Sequence, residues 1–203
     1  MKKVDLKKDL KHLYNPSAKE VVTVDVPDMN FLMIDGVGDP NTSQDYKDAI
    51  EALYALSYSL KFIIKNGKTA IDYGVMPLEG FWWTDDMAKF DVENRDIWKW
   101  TAMIMQPEYV SKELFGEALG QVTKKKNPAA LSKVRFESFH EGISAQIMHI
   151  GPYSAEGPTI ERIHGFIKEK GYKLNGKHHE IYLSDPRKTA PEKMKTVIRQ
   201  AVR

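Results

Sequence analysis

Apolar positions recur at helical spacing in three stretches of the chain. Between Tyr46 and Ile64 they fall at Tyr46, Ile50, Leu53, Leu56, Leu60 and Ile63, which predicts a helix of about five turns ended by Asn66-Gly67. A second helix is expected from Pro107 through Val110, Leu114, Phe115, Leu119 and Val122 into the lysine run at 124–126. A third runs from about Ser154 to Lys170, with Ile160, Ile163, His164 and Ile167 on one face and Gly171 closing it. Around these helices lie strand-like runs: VVTVDV (21–26) and FLMIDGV (31–37), separated by Pro27-Asp28, then AIDYGVM (70–76), IWKWTAMIM (97–105), KVRFESF (133–139), SAQIMHI (144–150), HEIYLSD (179–185) and TVIRQAV (196–202). Most of them alternate, as strands of an antiparallel sheet with one face on helices do. The expected class is α+β.

The order of elements recurs. LMIDGVGDP (32–40), a helix, AIDYGVM and WTAMIMQP (100–107) match SAQIMHIGPY (144–153), a helix, HEIYLSDP (179–186) and TVIRQAV. Val37-Gly38 and Ile150-Gly151 fall at the same strand-to-helix turn, where glycine permits a backbone conformation that other residues resist. The pattern predicts a duplicated strand–helix–strand–strand repeat with pseudo-two-fold symmetry. Its helices cover one face of an antiparallel sheet, and the other face offers a central ligand cleft. Residues 1–18 are charged and only weakly periodic, so an N-terminal arm is expected before a single domain at 19–203.

Composition narrows the function. Hydrophobic residues at 42% and charged residues at 29% suit a folded globular protein, and a net charge of +2 gives no nucleic-acid footprint and no polybasic membrane anchor. The absence of cysteine excludes disulfides, thiolate metal sites and cysteine nucleophiles. No apolar run approaches the roughly 20 residues of a spanning helix, and no signal-type apolar region follows the basic start, so a cytoplasmic protein without membrane contact is expected. Gly36-Val37-Gly38 lacks the remainder of a dinucleotide fingerprint, and no phosphate loop or serine triad pattern occurs. His178 and His179 point opposite ways on a strand, and His12, His140, His149 and His164 are scattered. Neither metal nor cofactor is expected. Oligomeric state is left open.

The candidate chemistry is aromatic and carboxylic. All four tryptophans fall in EGFWWTDD (79–86) and IWKWTAM (97–103), with Trp98 and Trp100 on one strand face and Trp82 and Trp83 diverging. Such a cluster forms either sheet and core packing or the wall of a pocket for a planar ligand. In HHEIYLSDPR (178–187), Glu180 and Tyr182 share one face of a strand while Ile181 and Leu183 share the other. If the apolar pair faces the helices, Glu180 and Tyr182 face the groove. There an aromatic-walled carboxylate is pushed up in pKa and serves as a proton-transfer group or as the counter-charge of a cation, the alternative being an exposed strand residue paired with a lysine. Tyr153 sits at the lip where the third helix begins, placed to donate its hydroxyl to a ligand oxygen. Glu156 reads as a first-turn acid that favours the helix end.

These residues resemble those of the GyrI-like small-molecule-binding family. The resemblance rests on the twofold organisation, on IGPY (150–153), on EIYLSDP (180–186) and on TVIRQAV, and covers essentially residues 19–203. It implies a duplicated sheet with a central cleft, used in relatives as the ligand-sensing half of multidrug-responsive regulators or as a free-standing binding protein, with Glu180 at the cleft bottom. EGFWW, WKWTAMIMQP, ESFHEG (137–142) and HHEIYLSDPR look like a subgroup with an aromatic cage, some members of which hydrolyse cyclopropane-bearing DNA-alkylating compounds. The expectation is a hydrolase with Glu180 and Tyr153 as catalytic residues. Its flat aromatic ligand would be held by Trp82 or Trp83, Trp100, Phe139 and Tyr182, with His179 as a further ligand contact. A sequestering protein for planar cations and a protein-binding module are the alternatives.

Overall fold

The computed structural model describes residues 2–87 and 94–203. Its elements are β1 (Lys2–Val4), α1 (Leu6–Asp9), α2 (Lys11–Tyr14), β2 (Val22–Val37), α3 (Gln44–Asn66), β3 (Ile71–Tyr73), β4 (Leu78–Trp83), β5 (Lys99–Gln106), α4 (Lys112–Lys125), β6 (Arg135–Ile150), α5 (Gly157–Glu169), β7 (Leu174–Tyr182) and β8 (Lys195–Val202). The chain is an α+β protein dominated by antiparallel strand pairs. Among the described residues, no helix is long and apolar enough to cross a membrane. The residues divide into two units: a first within Met1–Asp9, Met29–Leu78 and Trp82–Phe139, and a second within Leu10–Asp28, Glu79–Phe81 and His140–Arg203.

In the first unit, α3 matches its apolar spacing and buries Tyr46, Ala49, Leu53, Leu56 and Leu60. The Ser43 hydroxyl accepts from the Tyr46 N–H at 3.2 Å and satisfies one of the free donors at the helix start. Helix α4 starts later than expected because Ser111, not a residue near Pro107, supplies the N-cap. Residues 30–37 of β2 pair antiparallel with β5, from Asn30 opposite Gln106 to Val37 opposite Lys99. Ile71–Tyr73 forms a strand, but it pairs in parallel with β1 and not with the antiparallel strands, so the repeat as read from AIDYGVM fails at this element.

Tryptophans fill this unit's core. Tyr46 of α3 packs edge-on against Trp100 at 5.0 Å and against Trp82 at 5.6 Å between ring centroids, and Trp82 meets Trp98 at 5.8 Å. Trp100 lies opposite Gly36 on the neighbouring strand. A β-carbon at Gly36 would sit inside the indole of Trp100. Gly36→Ala is therefore expected to destabilise the protein by about 1–3 kcal/mol through overpacking, readable as a lowered midpoint in urea with an unchanged slope.

In the second unit, β8 pairs antiparallel with both β6 and β7. Helix α5 lays Ile163 and Ile167 on Ala145 and Ile147 of β6 and on Ile198 and Val202 of β8. Because opposed residues share a face, the register assigns the rest. Glu180 opposes Ile198, Tyr182 opposes Thr196 and His178 opposes Gln200, all on the α5 side, whereas His179 opposes Arg199 and Ile181 opposes Val197 on the other. The condition on which Glu180 and Tyr182 would face the groove, an apolar pair turned toward the helices, is not met: the carboxylate lies on the helix side.

Other differences have plain causes. VVTVDV and FLMIDGV are one strand, since proline's fixed φ is compatible with extended backbone. KVRFESF and SAQIMHI join through Gly142, whose φ of 71° lets the strand continue. LEGFWW is a strand whose residues 79–82 are all buried, so it carries no alternation to detect. The expected arm is also built in. Leu13 and Tyr14 are buried, Gln146 Nε2 donates to the His12 carbonyl at 2.6 Å, the Met148 N–H donates to Ser17 at 2.9 Å, and Arg162 donates to the Lys19 carbonyl at 2.7 Å.

Candidate functional site

Two clusters of ionisable side chains occupy opposite faces of the second unit's sheet. On the face away from α5, buried Tyr14, Glu79, Glu141, His179 and Arg199 form a chain. Tyr14 Oη donates to Glu79 Oε1 at 2.7 Å, and His179 Nε2 lies 3.0 Å from Glu79 Oε2. The other ring nitrogen, Nδ1, is 3.1 Å from both oxygens of Glu141, an arrangement in which a protonated ring donates to a carboxylate on each side. Arg199 closes the chain, donating to Glu141 Oε2 at 3.2 Å, to Gln146 Oε1 at 3.0 Å and to the Leu13 carbonyl at 2.8 Å. Burial by itself would raise Glu141, but the charges of His179 and Arg199 outweigh it and hold the group at about 2. Burial likewise works against the His179 charge, and Glu141 and Glu79 override it, raising the imidazole above its ordinary range. Burial and the Glu79 carboxylate push Tyr14 well up.

On the α5 face, Glu180 is almost enclosed, its side chain 16% exposed. His178 Nε2 donates to Oε1 at 3.0 Å and Tyr182 Oη donates to Oε2 at 2.7 Å. Burial opposes the charge, but these two donors prevail and hold Glu180 below the usual carboxylate range. This reverses the expectation of a raised carboxylate. The ring of Tyr153, 40% exposed, packs edge-on against Tyr182 at 5.5 Å.

The raised carboxyl group is Glu156. It is 5% exposed and lies beside the Thr196 hydroxyl, whose hydrogen bond favours the charged form. Burial first, and then the negative charge of Glu180, push it up to about 9. Glu156 is the residue before α5 and its side chain caps nothing. That is the signal the sequence offered: glutamate is a poor N-cap, and with proline in the first turn fixing the helix start, its carboxyl had to go elsewhere. His149 holds this loop, with Nε2 donating to the Pro152 carbonyl at 3.2 Å and Nδ1 2.9 Å from Thr159 Oγ1.

The other expected site residues are placed differently. His179 is 1% exposed with both nitrogens engaged, so it is a member of the charge chain and not a ligand contact. Trp82 and Trp100 are core side chains of the first unit, because Tyr46 takes the space beside them. Trp83 and Phe139 also belong to the first unit, Trp83 half-buried and Phe139 exposed. Glu79, Glu141 and His179 do not converge on one point, and among the described residues no group of three or more His, Asp or Glu side chains is placed to hold a metal ion.

The pair Glu156 and Glu180 makes a signed prediction. A carboxyl group raised in the native state costs nothing below its unfolded pKa, and its cost grows as pH rises from there toward the native value of about 9. Glu156→Gln is therefore expected to stabilise the protein by about 2–3 kcal/mol at pH 7 and to have little effect at pH 4. Thermal melts at the two pH values check this.

This architecture matches a known family. The model of the GyrI-like small molecule binding domain matches residues 19–203, and the chain belongs to that family. An uncharacterized conserved protein from Listeria innocua is 42% identical over 98% of this chain and 100% of its own, with a TM-score of 0.91. A hydrolase from Listeria innocua is 42% identical over the whole of both chains, with a TM-score of 0.89. The EcmrR C-terminal domain, 11% identical over 91% of this chain and 97% of its own with a TM-score of 0.53, shares the fold alone. No curated protein matches.

Proposed function

We propose that the protein is a hydrolase that opens the strained cyclopropane ring of flat, DNA-alkylating small molecules by adding water. The observation that carries the reading is Glu180, whose two oxygens are held by His178 and Tyr182 beside a second buried carboxyl group. Two carboxyl groups driven to opposite protonation states are an acid–base array. The small-molecule-binding family and the hydrolases of about 40–42% identity support the same direction.

Water attacks the ring methylene, the carbon–carbon bond breaks, and its electron pair flows into the dienone, which becomes a phenol. Glu180 accepts a proton from the attacking water, and Tyr153 donates one to the oxygen that gains charge. One hydroxyl reaches carbon and one proton reaches oxygen, so the reaction balances. Tyr182, bonded to Glu180 and packed on Tyr153, lies on the route by which the proton returns. Opening the ring this way would spare DNA. The rival, a cation-sequestering protein with Glu180 as counter-charge, predicts binding without turnover.

The test is a catalytic amount of protein with a cyclopropane-bearing alkylator in ¹⁸O-labelled water, followed by mass. Many product molecules per protein, each carrying one labelled oxygen, are expected, with Tyr153→Phe about 10²-fold slower. Loss of alkylator in stoichiometric amount without turnover would overturn the reading.

A further inference from the structure

The turn between β6 and α5 is gripped from inside by one side chain. His149 is 5% exposed, and the strand register sets it opposite Thr196 of β8, which in turn opposes Tyr182 of β7. Opposed residues share a face, so His149, Thr196 and Tyr182 form a row across three strands on the α5 side. Tyr182 is the residue whose hydroxyl donates to Glu180 at 2.7 Å. From this row the imidazole reaches both ends of the turn. Nε2 donates to the Pro152 carbonyl at 3.2 Å, and Nδ1 lies 2.9 Å from the Thr159 hydroxyl in the first turn of α5. A carbonyl only accepts, so Nε2 carries a proton; in the neutral ring Nδ1 accepts from Thr159.

Tyr153 stands between these two anchors. The Ala155 N–H donates to the Pro152 carbonyl at 2.9 Å and the Glu156 N–H to the Tyr153 carbonyl at 3.2 Å, while the Tyr153 ring packs edge-on against Tyr182 at 5.5 Å. The Gly151 N–H adds a bond to the Met194 carbonyl at 3.0 Å. A β-carbon at Gly151 would come within 3.2 Å of His149 Nε2. The run His149-Ile150-Gly151-Pro152-Tyr153 is thus one local device, in which glycine leaves room for the imidazole and the imidazole fixes the turn that carries the tyrosine.

We propose that His149 is a positioning residue for the reaction: by tying the Pro152 carbonyl to the first turn of α5, it sets where the Tyr153 hydroxyl stands, without itself touching the substrate. The proposal rests on the reading of Tyr153 as the donor to the oxygen that gains charge. A donor misplaced by about 1 Å can cost about 10²-fold in rate, and a loss of this kind falls on kcat and not on KM. Glutamine can stand in for the imidazole, because its amide nitrogen donates and its amide oxygen accepts at nearly the spacing of the two ring nitrogens. Phenylalanine fills the same space and does neither.

The experiment measures turnover of the cyclopropane-bearing alkylator by His149→Phe and His149→Gln, each in the native chain and in Tyr153→Phe. In the native chain His149→Phe is expected to lower kcat about tenfold or more with KM within about twofold, and His149→Gln to stay within about threefold of the native rate. In Tyr153→Phe, where there is no hydroxyl to place, His149→Phe is expected to cost less than about twofold more. Equal losses in the two backgrounds would mean that His149 merely supports the fold, and overturn the proposal; so does a His149→Phe variant with full kcat. If the native chain shows no turnover, the hydrolase reading fails by itself, and nuclear Overhauser contacts between the Tyr153 and Tyr182 rings still decide the positioning. These contacts are expected in the native chain and in His149→Gln and lost in His149→Phe; contacts unchanged in all three overturn it.

Discussion

Glu180→Gln is expected to cut turnover of a cyclopropane-bearing alkylator by about 10²–10⁴-fold, the range that loss of a general base commonly produces. Glutamine keeps the size of the side chain and one acceptor oxygen for Tyr182 or His178, so the fold and ligand affinity should change little. The effect then falls on kcat and not on KM. Steady-state kinetics of the variant measures the split. A variant with full turnover would remove Glu180 from proton transfer even if hydrolysis stands.

The second large effect lies on the opposite face. Arg199→Met removes the guanidinium that Glu141 shares with His179 and that holds the Leu13 carbonyl. A charge stripped of one partner in a buried chain costs about 3–5 kcal/mol, so the variant is expected to lose that much stability in denaturant unfolding. Changing Glu141 to glutamine in the same chain should recover part of the loss, because no unmatched carboxylate then remains. The native chain also has a pH signature. Glu141 is held at about 2, below its unfolded value, so its contribution is complete above the ordinary carboxylate range and fades as pH falls toward 2. His179 is raised, so its contribution is complete below the ordinary imidazole range and fades as pH climbs through the native value.

Periodicity made the helices legible, since α3 and α5 each pack a single apolar stripe. Alternation made Glu180 and Tyr182 legible as neighbours on one strand face, and the strand-to-helix turn made the position of Tyr153 just before α5 legible. Which face of β7 meets α5 was not legible, because Ile181 is buried just as fully on the far side. β4 was hidden for a related reason: a strand buried on both faces shows no period. Residues 10–18, within the expected arm at 1–18, looked like a charged arm because few of their side chains bind them to the unit; their backbone carbonyls do, at His12, Leu13 and Ser17. The tryptophan cluster was a correct grouping with the wrong purpose for two of its members, Trp82 and Trp100, which Tyr46 draws into the core. Glu156 was read as a helix-end acid because Glu180, whose charge raises it, is distant in sequence.

Glu156 and Glu180 are expected to hold opposite protonation states at neutral pH. Side-chain carboxyl ¹³C resonances of the glutamates, assigned with Glu156→Gln and Glu180→Gln and followed from pH 3 to pH 10, test this directly. Glu156 is expected to keep the shift of a carboxylic acid until pH approaches about 9, while Glu180 is ionised from below the usual glutamate value of 4.5. Two resonances that both titrate as ordinary glutamates near 4.5 would contradict it.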